Sequence, residues 1–141
     1  VEIRYQYFEE HHLLVQKLTG KFCIDDYARY AEVLVAKDFW PLVKCVLTDV
    51  TEIDPADITN HFNRIAEIRE KVFKRHYLNV FLVDKPLVTA SAHLYQQVLK
   101  KDSFAYQYCS TLEQALAYLE LDFLEDQMQN VIDCLSQQIE L

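Results

Sequence analysis

Apolar and polar residues alternate over residues 3–9 and 13–18, the period of two expected of half-buried strands. Glu10-His11-His12 between them is a gap of hairpin size, so the two segments predict an antiparallel hairpin. Gly20, the single glycine, breaks the pattern. The period then changes. Tyr27, Tyr30, Ala31 and Leu34 fall on one face of a helix predicted over 27–37, with Asp25 or Asp26 as its cap. Phe39-Trp40-Pro41 closes this unit as a bulky plug.

Three units of strand followed by helix come next. Residues 43–50 read as a strand and 55–76 as a long helix, with Ile58, Phe62, Ile65, Ile68 and Val72 at helical spacing. A second strand over 78–84 precedes a helix over 86–100. A third over 104–109 precedes a helix over 111–121. This alternation implies a mostly parallel sheet with right-handed crossovers and the N-terminal hairpin as an antiparallel edge, an α/β fold. In the first central strand Val43, Cys45 and Leu47 oppose Lys44, Val46 and Thr48. In the second, Leu78, Val80 and Leu82 oppose Asn79, Phe81 and Val83. One sheet face is thus wholly apolar and the other mixed, which predicts that most helices cover one side. Past residue 121, Leu124, Met128, Val131, Leu135 and Ile139 recur at spacings of three and four, an amphipathic helix of about four turns. The chain divides into a domain over 1–121 and a C-terminal helix over 122–141, packed on that domain or used as a dimer interface.

Composition narrows the function classes. Half of the residues are hydrophobic and mean hydropathy is close to zero, as expected of a soluble globular protein without membrane insertion or a targeting leader. The formal net charge of -8 opposes a phosphate backbone, so nucleic acid is not an expected partner. The one basic cluster, Lys71, Lys74, Arg75 and His76, ends a predicted helix, where cations suit the helix dipole. Cys23, Cys45, Cys109 and Cys134 are widely spaced without a Cys-x-x-Cys pair, which fits reduced thiols in the cytoplasm.

Three segments carry a resemblance: Cys45-Val46-Leu47-Thr48-Asp49-Val50, Val80-Phe81-Leu82-Val83-Asp84-Lys85-Pro86, and Ser110-Thr111-Leu112-Glu113-Gln114-Ala115-Leu116-Ala117-Tyr118-Leu119. With the order of elements, they resemble the SpoIIAA-like fold shared by sulphate-transporter and anti-sigma-antagonist (STAS) domains, over residues 1–121. In antagonist members the strand, acid and turn lead into an Asp-Ser-Ser/Thr-Gly motif whose serine is phosphorylated. Here Asp54, Pro55, Ala56 and Asp57 occupy those positions, so the resemblance implies a divergent bacterial member without the phospho-switch. Asp54-Pro55-Ala56-Asp57 reads instead as a helix start, with Asp at the N-cap and proline at the first helical position. Lipid-transfer domains of the CRAL-TRIO type have been compared with the same fold, so the resemblance also admits an apolar ligand.

Ligands of open α/β sheets gather outside the carboxyl ends of the strands. That rule selects Asp49 and Asp84, with Thr51, Lys85, Thr89 and Ser110, as the candidate ligand site. The adjacent His11-His12 point to opposite faces, and His61 and His93 lack a metal partner at helical spacing. No nucleophile elbow or glycine-rich phosphate loop is present. No cofactor, metal or catalytic residue is expected. Phe104, Tyr106 and Tyr108 share one strand face and Tyr5 and Tyr7 another, as core ladders or as the lining of a pocket. The leading expectation is a non-enzymatic regulatory module that binds a protein or itself as a homodimer. The alternative is a carrier or sensor of a small apolar, lipid-like ligand held between sheet and helices, and an enzyme using Asp49 and Asp84 comes third.

Overall fold

The computed structural model describes residues 1–98 and 106–141. Among them six strands build one sheet: β1 (Glu2–Phe8), β2 (Leu13–Lys21), β3 (Cys45–Asp54), β4 (Leu78–Leu82), β5 (Tyr106–Cys109) and β6 (Gln137–Gln138). Their order across the sheet is β5-β4-β3-β2-β1-β6. The block from β2 to β5 is parallel, while β1 runs antiparallel to both β2 and β6. The α-helices are α1 (Ile24–Val35), α2 (Phe62–Ile68), α3 (Pro86–Val98), α4 (Leu112–Leu119) and α5 (Glu125–Asp133). The architecture is the α/β arrangement that the alternating periods predict. The start of the third predicted strand, including Phe104, lies outside the described residues, as do the last residues of the helix predicted over 86–100.

Side chains alternate across the pleat, so each central strand contributes to two cores. Leu13, Val15, Leu47, Val80 and Leu82 pack under α4 and α5. On the other face, Leu14 and Val46 pack with α1 and the end of α2, and Val50 and Val83 with α2 and α3. Both faces are therefore covered, by α1 to α3 on one and α4 and α5 on the other, a more even division than the unequal cover expected. The mixed face is polar for another reason: its polar members line a cavity.

Three departures from the predicted elements have local causes. Gly20 does not end β2, because a register shift between Lys17 and Thr19 lets the strand follow β3 out to Lys21. Gly20 itself sits at φ +91°, which the absence of a Cβ makes accessible. The predicted helix over 55–76 is broken. The Asp54 carboxylate accepts the Ala56 N–H at 2.9 Å, and Ala56 turns left-handed at φ +47°, so Asp54 shapes a turn rather than capping a helix. A 3-10 turn over Ile58–His61 follows, then α2, then a π-helical turn over Arg69–Phe73. That wider turn rotates Phe73 into the core and leaves the predicted Val72 half-buried.

The third departure is at the C-terminus, where the expected four-turn helix stops at Asp133 and the chain continues into the edge strand β6. Leu135 joins the core under α4 and α5, whereas Ile139 joins the core on the opposite face. One continuous helix would place both on a single stripe, so the chain must turn around the sheet edge. The Ile139 N–H donates to the Ile3 carbonyl at 2.9 Å and ties that edge down. Within the basic cluster, Arg75 donates to the carbonyls of Trp40 and Val43 and stacks on the Trp40 ring. Its role is to hold the buried aromatic plug.

Candidate functional site

A cavity of about 110 Å³ lies between the mixed face of the sheet and helices α1 to α3. Its apolar walls include Leu18, Val50 and Phe81 from the strands, with Phe62, Ile65 and Val88 from α2 and α3. Period-two alternation aims the strand residues at it, and helical spacing aims the helix residues. Ligand pockets for drug-sized molecules usually measure about 300–1,000 Å³, so this one is small. An engineered cavity of about 150 Å³ holds benzene. The space is therefore that of a single ring or a short aliphatic chain, well below the few hundred Å³ expected for a lipid-like ligand.

A buried polar chain crosses one wall. Tyr30 of α1 donates its hydroxyl to Gln16 Oε1 at 2.8 Å. Gln16 Nε2 donates to Thr48 Oγ1 at 3.0 Å, and Thr48 Oγ1 donates in turn to Asn79 Oδ1 at 3.1 Å. The sheet register makes this possible. Gln16 and Thr48 are direct partners on the parallel strands β2 and β3, while Asn79 pairs with Val46 and is reached diagonally. All four residues are buried and all line the cavity. A buried polar group is costly unless hydrogen-bonded, and the chain meets that requirement through successive partners.

Arg69 supplies the charge. It opens the π-helical turn, is only 2% exposed, and is the sole lining residue among those described that carries a formal charge. Its Cζ stands 5.4 Å from the Tyr77 ring centroid, and its guanidinium adjoins the Tyr95 hydroxyl. Burial disfavours the charge, but the surrounding Tyr77, Tyr95, Tyr27 and Tyr106 outweigh it and hold the guanidinium firmly protonated. The tyrosines themselves stay neutral. Burial pushes the hydroxyls of Tyr27 and Tyr30 well above the usual phenol range and raises those of Tyr95 and Tyr106 too. π-helical turns occur frequently at functional sites because the extra residue re-aims a side chain. Here that segment begins with the guanidinium.

The residues selected by strand-end position are not brought together. β3 extends past Val50, so Asp49 lies within the strand and on the α4 side of the sheet, away from the cavity. It is buried, and its Oδ1 accepts the Thr51 N–H at 2.8 Å. Asp84 and Lys85 are exposed beyond β4, Thr89 bonds the Lys85 carbonyl within its own helix, and Ser110 is exposed just before the α4 cap. None of Asp49, Thr51, Asp84, Lys85, Thr89 or Ser110 lines the cavity. The C-terminal stripe is likewise consumed internally. Met128, Leu135 and Ile139 are buried in the chain's own cores and Val131 packs against them, while Leu124 is exposed.

His61 pairs with Asp57 and His93 with the Tyr108 hydroxyl. Among the described residues no group of three or more His, Cys, Asp or Glu side chains is placed to hold a metal ion. Nor is any helix among them long and apolar enough to cross a membrane. The cavity residues did leave a sequence signal. Gln16, Thr48 and Asn79 are the polar positions on strand faces that otherwise read apolar. Arg69 falls four residues after Ile65 and seven after Phe62, a charge on the apolar stripe of a helix. No protein-family model matches this chain, and no curated protein matches it in sequence.

Proposed function

We propose that this chain is a non-enzymatic binding domain that carries or senses a small, largely apolar molecule between its sheet and helices. The observation that carries the reading is the cavity of about 110 Å³, apolar in its walls and crossed by a hydrogen-bonded polar chain. Pockets of this kind, apolar with a few convergent polar groups, are where ligands bind and orient. The side chains support a reading of binding rather than turnover. Among the described residues the one lining serine donates to the Leu87 carbonyl of its own helix, and no histidine or carboxylate of theirs lines the space to activate it. The reading keeps the chain among divergent bacterial SpoIIAA-like domains and places it in the cytoplasm, where four free thiols are at home.

Protein-detected NMR with benzyl alcohol as the probe tests it. Saturable shifts centred on Phe62, Tyr95 and Thr48 are expected, and native mass spectrometry should find a small molecule released from freshly purified protein. Absence of both a copurified molecule and saturable shifts at millimolar probe overturns the proposal. A second reading, a regulatory module binding a protein or a second copy of itself, is favoured by one feature. Leu87, Leu94 and Val98 form an exposed apolar stripe along α3. A concentration-dependent dimer lost on Leu94→Glu supports that reading, and a monomer at every concentration removes the self-association form of it.

A further inference from the structure

The geometry points to a ligand with a carboxylate head and a small apolar body, its acid group on Arg69 and its body among Phe62, Val88 and Tyr95. This inference rests on the proposed binding function and adds the chemical class. The cavity offers two kinds of polar surface. The chain from Tyr30 to Asn79 spends its groups largely on itself, each link satisfying the next. Arg69 is the second kind: its guanidinium has five N–H donors in a planar fork, so one group can hold its protein partners and a ligand oxygen together.

Charge sign and shape then select the ligand. Among the described residues the only formally charged one lining the cavity is a buried arginine, whose positive potential repels amines and attracts anions. Low polarity strengthens that attraction. A planar carboxylate matches the guanidinium fork in a bidentate manner. A phosphate would have to shed water from more oxygens and more charge against walls made mainly of Val, Ile, Leu and Phe, a heavier desolvation cost. Volume sets the body: about 110 Å³ admits a benzoate-sized ring or a short aliphatic acid, not a long acyl chain. The π-helical turn is the device that delivers the charge. It keeps Ile68 and Phe73 buried on either side while Arg69 lines the cavity.

The test compares three probes of one size on the intact chain: benzoate, benzyl alcohol and benzylamine. Benzoate is expected to bind about tenfold tighter than benzyl alcohol, the worth of a charge-assisted hydrogen bond over a neutral one, and benzylamine not at all. Arg69→Met should weaken benzoate far more than benzyl alcohol and reverse their order, because an unpaired carboxylate is costly in an apolar cavity, and Arg69→Lys should retain part of the preference. If Arg69→Met does not fold, intermolecular NOEs from benzoate to Tyr95 and Phe62 in the wild-type chain, with the probe ranking, carry the test. Equal binding of benzoate and benzyl alcohol overturns the carboxylate inference and leaves the apolar binding function standing. Failure of all three probes to bind, with no copurified small molecule, overturns both.

Discussion

Replacing Thr48 by valine probes the polar chain at its centre with almost no change of shape. Thr48 is 1% exposed. Its Oγ1 accepts from Gln16 Nε2 at 3.0 Å and donates to Asn79 Oδ1 at 3.1 Å. Thr48→Val removes both bonds and leaves a buried donor and a buried acceptor without partners. Each orphaned group costs about 1–3 kcal/mol, whereas the added methyl returns at most ~0.8 kcal/mol. A net destabilisation of about 1–5 kcal/mol is therefore expected. At a slope of about 2 kcal/mol/M the midpoint of urea unfolding should fall by about 0.5–2.5 M with that slope unchanged. Replacing the whole chain, Gln16→Leu with Tyr30→Phe, Thr48→Val and Asn79→Leu, should recover most of the loss, since removing both partners of a bond leaves nothing unsatisfied. A midpoint for Thr48→Val within experimental error of wild type would refute the claim that these bonds matter. A fourfold variant less stable than the single one would refute the claim that orphaned partners are the cause.

Met128→Ala should cost about 2–5 kcal/mol by opening a cavity under α5, because Met128 is fully buried among residues of the same chain; thermal unfolding checks this, and a negligible shift would show that α5 does not pack there. Glu120 ends α4 in a left-handed conformation at φ +54°, so Glu120→Gly should raise stability by up to about 1 kcal/mol, read as a higher melting temperature. Desolvation raises the thiol pKa of Cys109 and of Cys45, while Cys23 and Cys134 are exposed; alkylation followed by mass spectrometry at pH 8 should label Cys23 and Cys134 first, and early labelling of Cys109 would contradict its burial. Burial raises the Tyr27 and Tyr30 hydroxyls above their unfolded value. Their stabilising contribution is therefore complete below about pH 10 and lost as pH rises through the native pKa, so tyrosinate absorbance should appear together with unfolding rather than before it.

Much of the architecture was legible in the chain because burial imposes periods that chemistry alone can read. The two-residue alternation of 3–9 and 13–18, the apolar strands near Leu47 and Val80, and the stripe through Phe62, Ile65 and Ile68 all correspond to observed elements. The polar interruptions Thr48 and Asn79 show as a mixed sheet face, which on a sequence alone reads as unequal helix cover, while Gln16 joins them only through the register of β2 on β3. The strand-end rule points elsewhere, to Asp49 and Asp84. That rule depends on where a strand stops, and β3 stops at Asp54, well past Asp49.

By itself the sequence determined the class of fold, the alternation of strands and helices up to α4 and which strand faces are apolar, since these follow from local side-chain period. Only the tertiary structure decided that the mixed face closes over a cavity, because that needs α1, α2 and α3 to meet above three strands distant in sequence. It also decided the fate of the C-terminal stripe. Leu135 and Ile139 share one helical stripe on paper, but the sheet has two faces and an unpaired edge. The chain gains more by pairing β6 with β1 and burying one residue on each side than by continuing a helix. Long-range hydrogen bonding and burial outweigh local period wherever the two compete.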